Sequence, residues 1–257
     1  MVRRGVALFA GTPAEVTAVT ARAAEELGYR SFWLNHPGPI DGVAALAPAA
    51  LATAAIDLGV GVVPLHTRAA SSVVESVRAH GLPTERLLLG IGSANSGAFR
   101  LAREGVALLR TELGCRVFMG ALGEPACGLA GEIADGVLLN WSTPAHALRS
   151  AEWVGRGAER AGRPRPEIYA YVRVALGPGA RARIEDEGSR YAGGSYGAHF
   201  ARMDASPLET AIAAVDAGAL AAGLRAWEGV VDEVVLRFLP ASDAAEAHLA
   251  ILLAGAP

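Results

Sequence analysis

Hydrophobic and polar positions fall in blocks along this chain. Short apolar runs are each followed by a stretch whose apolar residues recur at helical spacing. Val6–Phe9 is the first run, and Thr12-Pro13-Ala14-Glu15 then predicts a helix start, with Thr12 as N-cap and Pro13 at the first helical position. That helix stops at Leu27-Gly28, where glycine permits the turn out. The same strand-then-helix pair recurs in Ser31–Leu34 with Val43–Ala55, in Leu58–Val63 with Ser71–His80, and in Leu87–Ile91 with Phe99–Leu113. It continues in Val117–Ala121 with Pro125–Ala134 and in Val137–Asn140 with Thr143–Arg160, the last helix capped by Thr143. Ile168–Ala175 is a further strand, and a long, less regular segment follows to Leu224. Val231–Phe238 with Asp243–Leu253 ends the series.

About eight strands thus alternate with as many helical regions. The strands are apolar at consecutive positions, as strands covered on both faces are. Short connections and right-handed crossovers then predict a (β/α)8 TIM barrel, one domain over residues 1–257; an open doubly wound sheet is the competing arrangement. The chain is 52% hydrophobic and 19% charged, which is ample for one large core and argues against disorder. A net charge of −3 gives no basic field, so neither nucleic acid nor an anionic membrane surface is an expected partner. Arg3-Arg4 and the pair Arg163 and Arg165 read as solvated surface. The apolar run after Arg4 is only about five residues, too short for a signal peptide. No stretch approaches the ~18 apolar residues of a membrane span. Cys115 and Cys127 lack metal or redox spacing and read as buried thiols, so a cytoplasmic location is expected.

A barrel of this kind carries its chemistry beyond the C-terminal strand ends. The polar and small residues there are Asn35-His36, His66-Thr67-Arg68, Ser93-Ala94-Asn95-Ser96, Gly120 to Glu124 and Asn140-Trp141, with Arg173 and Arg237 inside the last two strands. Gly90-Ile91-Gly92 fails as a dinucleotide fingerprint, because Asn95 stands where the third glycine belongs. Gly120-Ala121-Leu122-Gly123-Glu124-Pro125 is the better phosphate candidate, since it opens a helix whose free N–H groups attract anions; plain turn chemistry is the alternative. His36 is of a type that donates to a flavin ring or acts as acid or base; a loop histidine without a task is the alternative. No G-x-S-x-G, H-E-x-x-H or paired-cysteine pattern occurs, so hydrolase and metalloenzyme readings have little support.

Several of these stretches together resemble the bacterial-luciferase-like family of flavin-dependent monooxygenases and F420-dependent oxidoreductases. They are Ala24 through Trp33, Leu58 through Pro64, Arg86 through Gly92, and above all Ala130-Gly131-Glu132-Ile133-Ala134-Asp135-Gly136-Val137-Leu138-Leu139-Asn140, with Val231 through Leu236 fitting the last strand. The resemblance implies a reduced F420, or FMN as the alternative, at the barrel mouth and hydride transfer with a small organic substrate. An FMN-dependent monooxygenase and a non-catalytic flavin-binding barrel are the other readings. The ring would pack on a bulge of the third strand at Gly61, Val62 and Val63, where the family often has a non-proline cis peptide. His36, Asn35 and Asn95 would be the catalytic positions. Ser93, Ala94, Gly120, Ala121, Leu122, Gly123 and Asn140 would line the cofactor, and a homodimer is expected. Two departures stand out. Asn95 lies where some deazaflavin sugar-phosphate dehydrogenases carry a Glu, and Asn is no general acid. The family's usual insertion after the fourth strand is missing, because Ser96-Gly97-Ala98 runs straight into the helix at Phe99. The loop from Gly193 to His199 is then the candidate lid.

Overall fold

The structure, a computed structural model, describes residues 2–92 and 97–257. Its elements run β1 (Arg3–Leu8), α1 (Ala14–Glu26), β2 (Ser31–Leu34), α2 (Ala47–Ala52), β3 (Asp57–Pro64), α3 (Ala70–Ala79), β4 (Leu87–Gly92) and α4 (Ala98–Leu113). Then come β5 (Arg116–Ala121), α5 (Glu124–Ile133), β6 (Gly136–Asn140), α6 (Pro144–Arg160), β7 (Glu167–Leu176), α7 (Ala180–Ser189) and α8 (Gly194–Met203). The chain ends with β8 (Ala211–Ala214), α9 (Ala217–Arg225), β9 (Glu233–Phe238) and α10 (Ala245–Ala254). All strand pairings are parallel, in the order β6-β5-β4-β3-β2-β1-β9-β7, and pairing of β6 with β7 closes the ring. This is the (β/α)8 barrel. The ninth strand, β8, lies outside the ring and pairs only with Arg173–Leu176 of β7.

Two cores hold it. Side chains on the outward strand faces pack under the helices, among them Val6, Phe32, Leu58, Leu89, Val117 and Val172. The inward faces fill the barrel with Ala7, Trp33, Leu88, Phe118, Leu138, Tyr169, Tyr171 and Val235. Trp33 meets Phe118 edge-on at 5.5 Å and Tyr171 at 6.0 Å between centroids. Gly59 makes room for it, since a Cβ there would lie 2.1 Å from the indole. The interior is packed, as barrels of this size are.

Three expectations need correction. Pro13, not Thr12, stands at the N-cap of α1, and no side chain caps that helix. The helix expected over Val43–Ala55 is only a short 3-10 turn and α2, ending at Ala52. The Glu25 carboxylate accepts from the amides of Ala54, Ala55 and Ile56, and Arg86 donates to the carbonyls of Ala50, Thr53 and Ile56, so the backbone there is claimed by side chains. Arg3 and Arg165 keep solvated side chains as expected but are paired there, Arg3 with Glu167 at 2.5 Å and Arg165 with Asp232, while Arg4 donates to the carbonyls of Gly255 and Ala256. The segment after β7 is more regular than its sequence suggests, holding α7, α8, β8 and α9. Thr143 caps α6 as expected, accepting from the His146 amide at 3.2 Å, and Cys115 and Cys127 are buried free thiols. Among the described residues, no helix is long and apolar enough to cross a membrane.

Candidate active site at the barrel mouth

Strand alternation carries the inward-facing set upward from Ala7, Trp33, Leu88, Phe118, Leu138, Tyr171 and Val235. Two residues on are Phe9, Asn35, Gly90, Gly120, Asn140, Arg173 and Arg237. One layer at the C-terminal mouth is thus built from seven of the eight barrel strands.

The eighth contribution is the irregular one. β3 loses register with β4 between Val60 and Val63, and the Gly61–Val62 peptide is cis, at the place the family resemblance implies. A Cβ on Gly61 would lie 2.5 Å from Leu138 Cδ2 and 2.8 Å from Tyr171 Oη, so the backbone comes closer to the barrel axis than a larger residue permits. Val62 is half-buried and leans over glycines of the next two strands. Cβ atoms on Gly90, Gly92 and Gly120 would sit 3.1, 3.0 and 3.2 Å from its methyls. The result is a low apolar step in which Val62 lies over the three glycines. Val63 and Ala121 turn instead into the outer core, so they offer the mouth only backbone.

The β2 end is held by hydrogen bonds. Asn35 Oδ1 accepts from the Ala10 amide at 2.8 Å, tying the first two strand ends together. His36 Nδ1 accepts from the Gly42 amide at 3.1 Å, which places the ring proton on Nε2. Burial and the nearby Arg68 guanidinium hold the imidazole below its ordinary pKa, with Asp41 opposing them. His36 is therefore a neutral hydrogen-bond donor. Asp41 anchors the loop. It accepts from Arg68, from Ser76 at 2.9 Å and from the Val43 amide at 2.9 Å, and its pKa falls to about 2.

On the opposite side, Gly123 begins the ten-residue α5 with no side-chain cap, and a Cβ on it would be 3.6 Å from the Arg202 guanidinium. Helix amides and a cation together suit a phosphate or another anion. Leu122 supports this turn through its carbonyl, which meets His199 Nδ1 at 2.8 Å and accepts from Arg202 at 3.1 Å. The other ring nitrogen of His199 meets the Trp141 carbonyl at 2.9 Å. The expected lid loop at Gly193–His199 is therefore the first part of helix α8. Tyr196, His199, Phe200 and Met203 recur at helical spacing, and the buried His199 pins the helix across the β5 and β6 loops. Asn140 Nδ2 donates to Tyr196 Oη at 2.7 Å, and its Oδ1 accepts from Arg173.

The structure thus brings Asn35, His36, Gly61, Val62, Gly120, Leu122, Gly123 and Asn140 to one rim. Ser93, Ala94 and Asn95 lie outside the described residues. The sequence reading assigned no role to Arg173, Arg237, Tyr171, Tyr191 or Tyr196. The available signal was a period of two: Tyr169, Tyr171 and Arg173 alternate with apolar residues in β7, as do Glu233 and Arg237 in β9.

Fold and mouth together give a (β/α)8 barrel whose third strand is interrupted at Gly61–Val62. No family model matches the chain. Over 201 residues it is 26% identical to a 5,10-methylenetetrahydromethanopterin reductase of Methanolobus tindarius, an alignment covering 64% of this chain and 62% of that protein. The chain so spans less than two thirds of the length of that relative. The F420-dependent tetrahydromethanopterin reductase of Methanopyrus kandleri superposes with a TM-score of 0.72 at 18% identity, covering 99% of this chain and 97% of that one. An F420-dependent secondary alcohol dehydrogenase bound to an F420–acetone adduct gives 0.78 at 12% identity, covering 100% and 98%. The FMN-bound oxygenating constituent of 3,6-diketocamphane monooxygenase from Pseudomonas putida gives 0.65 at 13%, covering 98% and 95%. At these identities the structural likeness is one of fold.

Proposed function

We propose that this chain is an oxidoreductase that holds reduced F420, with FMN as the alternative, at the barrel mouth and exchanges hydride with a small organic substrate. The observation that carries the reading is the step at Gly61–Val62 over the glycine floor of Gly90, Gly92 and Gly120. A flat tricyclic ring needs a low apolar surface of this kind, which Val62 forms because the glycines let it settle close to the strands. The residues fit the group: Val62 would back the ring, Gly120 and the backbone of Ala121 would border it, and Gly123 with Arg202 would receive a phosphate. When bound, the cofactor supplies the hydride. His36, neutral and donating through Nε2, orients a ring or substrate oxygen and keeps its proton, and Asn35 fixes the strand end that carries it. The F420 preference rests on the reductase and dehydrogenase relatives. A single domain, a homodimer and a cytoplasmic location complete the proposal.

Titration of the purified protein with F420 and with FMN, followed by absorbance and fluorescence, tests it. Saturable micromolar binding of F420 is expected, at least tenfold weaker in Gly120→Leu, whose side chain would crowd Val62. Preference for FMN would turn the reading toward oxygenation. Tight binding of either cofactor without turnover would leave a binding protein, and binding of neither would overturn the proposal.

A further inference from the structure

The barrel mouth holds two arginines that, among the described residues, no carboxylate contacts. Arg173 and Arg237 are register partners on the adjacent strands β7 and β9, about 4.8 Å apart in the sheet. They are 3% and 5% exposed. Among the described residues, neither makes an ion pair within 4.0 Å, and residues 93–96 contain no Asp or Glu that could supply one. Arg173 donates to Asn140 and lies 3.8 Å from the centroid of the Trp141 ring and 5.4 Å from that of Tyr191, leaving its Nε without an acceptor. Arg237 donates to its neighbour's carbonyl, Phe238, at 2.5 Å. Tyr171 Oη and Trp141 Nε1 are buried nearby without partners. Burial lowers the pKa of both guanidinium groups and Arg173 adds to the effect on Arg237, with Glu187 and Tyr191 opposing in both.

Two like charges side by side, out of water and with no carboxylate in contact, are unfavourable in an apo protein. Glu187, itself shared with Arg190, opposes this only from a distance. Aromatic faces soften that only in part. An anion that enters the mouth changes the sign. We propose that Arg173 and Arg237, with the Tyr171 hydroxyl, form a subsite for a carboxylate-class oxyanion on the substrate. The planar guanidinium forks match the two oxygens of a carboxylate, and Tyr171 adds a neutral donor next to the Gly61 bulge. This deepens the proposed function and rests on it, because it takes the mouth to be where substrate binds. It restricts the substrates to organic anions.

The test is calorimetric titration of the cofactor-free protein at fixed ionic strength, with formate and benzoate against their neutral isosteres formamide and benzamide. At least one anion should bind saturably and at least tenfold more tightly than its amide. Arg237→Met and Arg173→Met should each weaken that anion at least tenfold, with Arg237→Lys in between. Because the unpaired charge burdens the empty protein, Arg237→Met should also raise its melting temperature; a structural arginine would lower it. Equal binding of anion and amide, binding of neither anion, or an affinity unmoved by both Met variants overturns the inference. So does a matching loss of F420 or FMN affinity in Arg237→Met, which would assign the pair to the cofactor. Failure of anion binding while a cofactor still binds sinks this subsite alone; failure of both cofactors while anions bind sinks the proposed function instead.

Discussion

The two ends of this barrel treat charge in opposite ways. At the N-terminal end, Arg3, Arg116 and Arg165 are matched to Glu167, Glu233, Asp57 and Asp232, with Arg116 to Glu167 at 3.2 Å and Arg165 to Asp232 at 2.9 Å. Ser31 donates to the buried Glu233 and accepts from Trp33 Nε1 at 2.7 Å. At the C-terminal end, among the described residues, Arg173 and Arg237 have no carboxylate in contact and only Glu187 at a distance, and Tyr171 Oη, Trp141 Nε1 and Arg173 Nε are buried without partners. A polar network is stable when its members satisfy one another. Groups left unsatisfied in an otherwise well-paired fold mark the place where a ligand completes the structure. The base holds the barrel together with matched charges, although Arg4 Nε there is also buried without a partner, and the mouth keeps the larger group of open valences.

The largest effect tests the base. Burial raises the Glu233 pKa to about 7, with Ser31 and Arg3 opposing it. The folded state therefore holds this proton more tightly than the unfolded chain, whose carboxyl titrates near the ordinary 4.5. The Glu233 contribution should be full below pH 4.5 and be lost as pH rises from there through 7, by on the order of 3 kcal/mol. Urea unfolding across that interval reads the loss, and Glu233→Gln should flatten it. Because His146, His199 and His36, all held below their ordinary pKa, slope the other way, the decisive comparison is with Glu233→Gln. Identical pH profiles for the two proteins would show that the base is satisfied with Glu233 ionised.

The next effect separates packing from ligand binding along one strand. Gly59→Ala would push a methyl into Trp33, and Gly61→Ala one into Leu138 and Tyr171. Each should cost about 1–3 kcal/mol by overpacking. Only Gly61→Ala should also weaken the cofactor, by tenfold or more, since only it reshapes the mouth. Equal cofactor affinity in the two folded variants would break the distinction between the two ends.

Much of this was legible beforehand. Apolar blocks at strand length and amphipathic stretches between them fix a parallel barrel, because strands covered on both faces leave no alternation. The glycine-rich strand ends at Gly61, Gly90 and Gly120 pointed to the mouth. What stayed hidden depends on distant pairing. No local pattern says that Glu25 captures the amides of Ala54 to Ile56 and so shortens α2, or that Arg3 finds Glu167, 164 positions away. The open valences of Arg173 and Arg237 are equally nonlocal: an arginine in an apolar strand shows in sequence, but the lack of a carboxylate beside it shows only in the closed barrel.

The smallest effect concerns the mouth's own paired cluster, which sharpens the comparison because it serves to position a residue. Asp41, its side chain 34% exposed, ties Arg68, Ser76 and the Val43 amide to the loop whose Gly42 amide donates to His36. Its pKa of about 2 lies below the ordinary 3.8, so its contribution is complete above pH 4 and is lost as pH falls toward 2. Solvent screening at this exposure leaves about 1 kcal/mol. Asp41→Asn should remove that acid limb with little further loss of stability at neutral pH. It should also lower the His36 pKa further, since Arg68 would keep its charge and Asp41 would no longer oppose it. Imidazole nitrogen NMR reads both the titration and the tautomer. A proton on Nδ1, or a His36 pKa that rises in Asp41→Asn, would contradict the neutral Nε2 donor and with it the orienting role at the mouth.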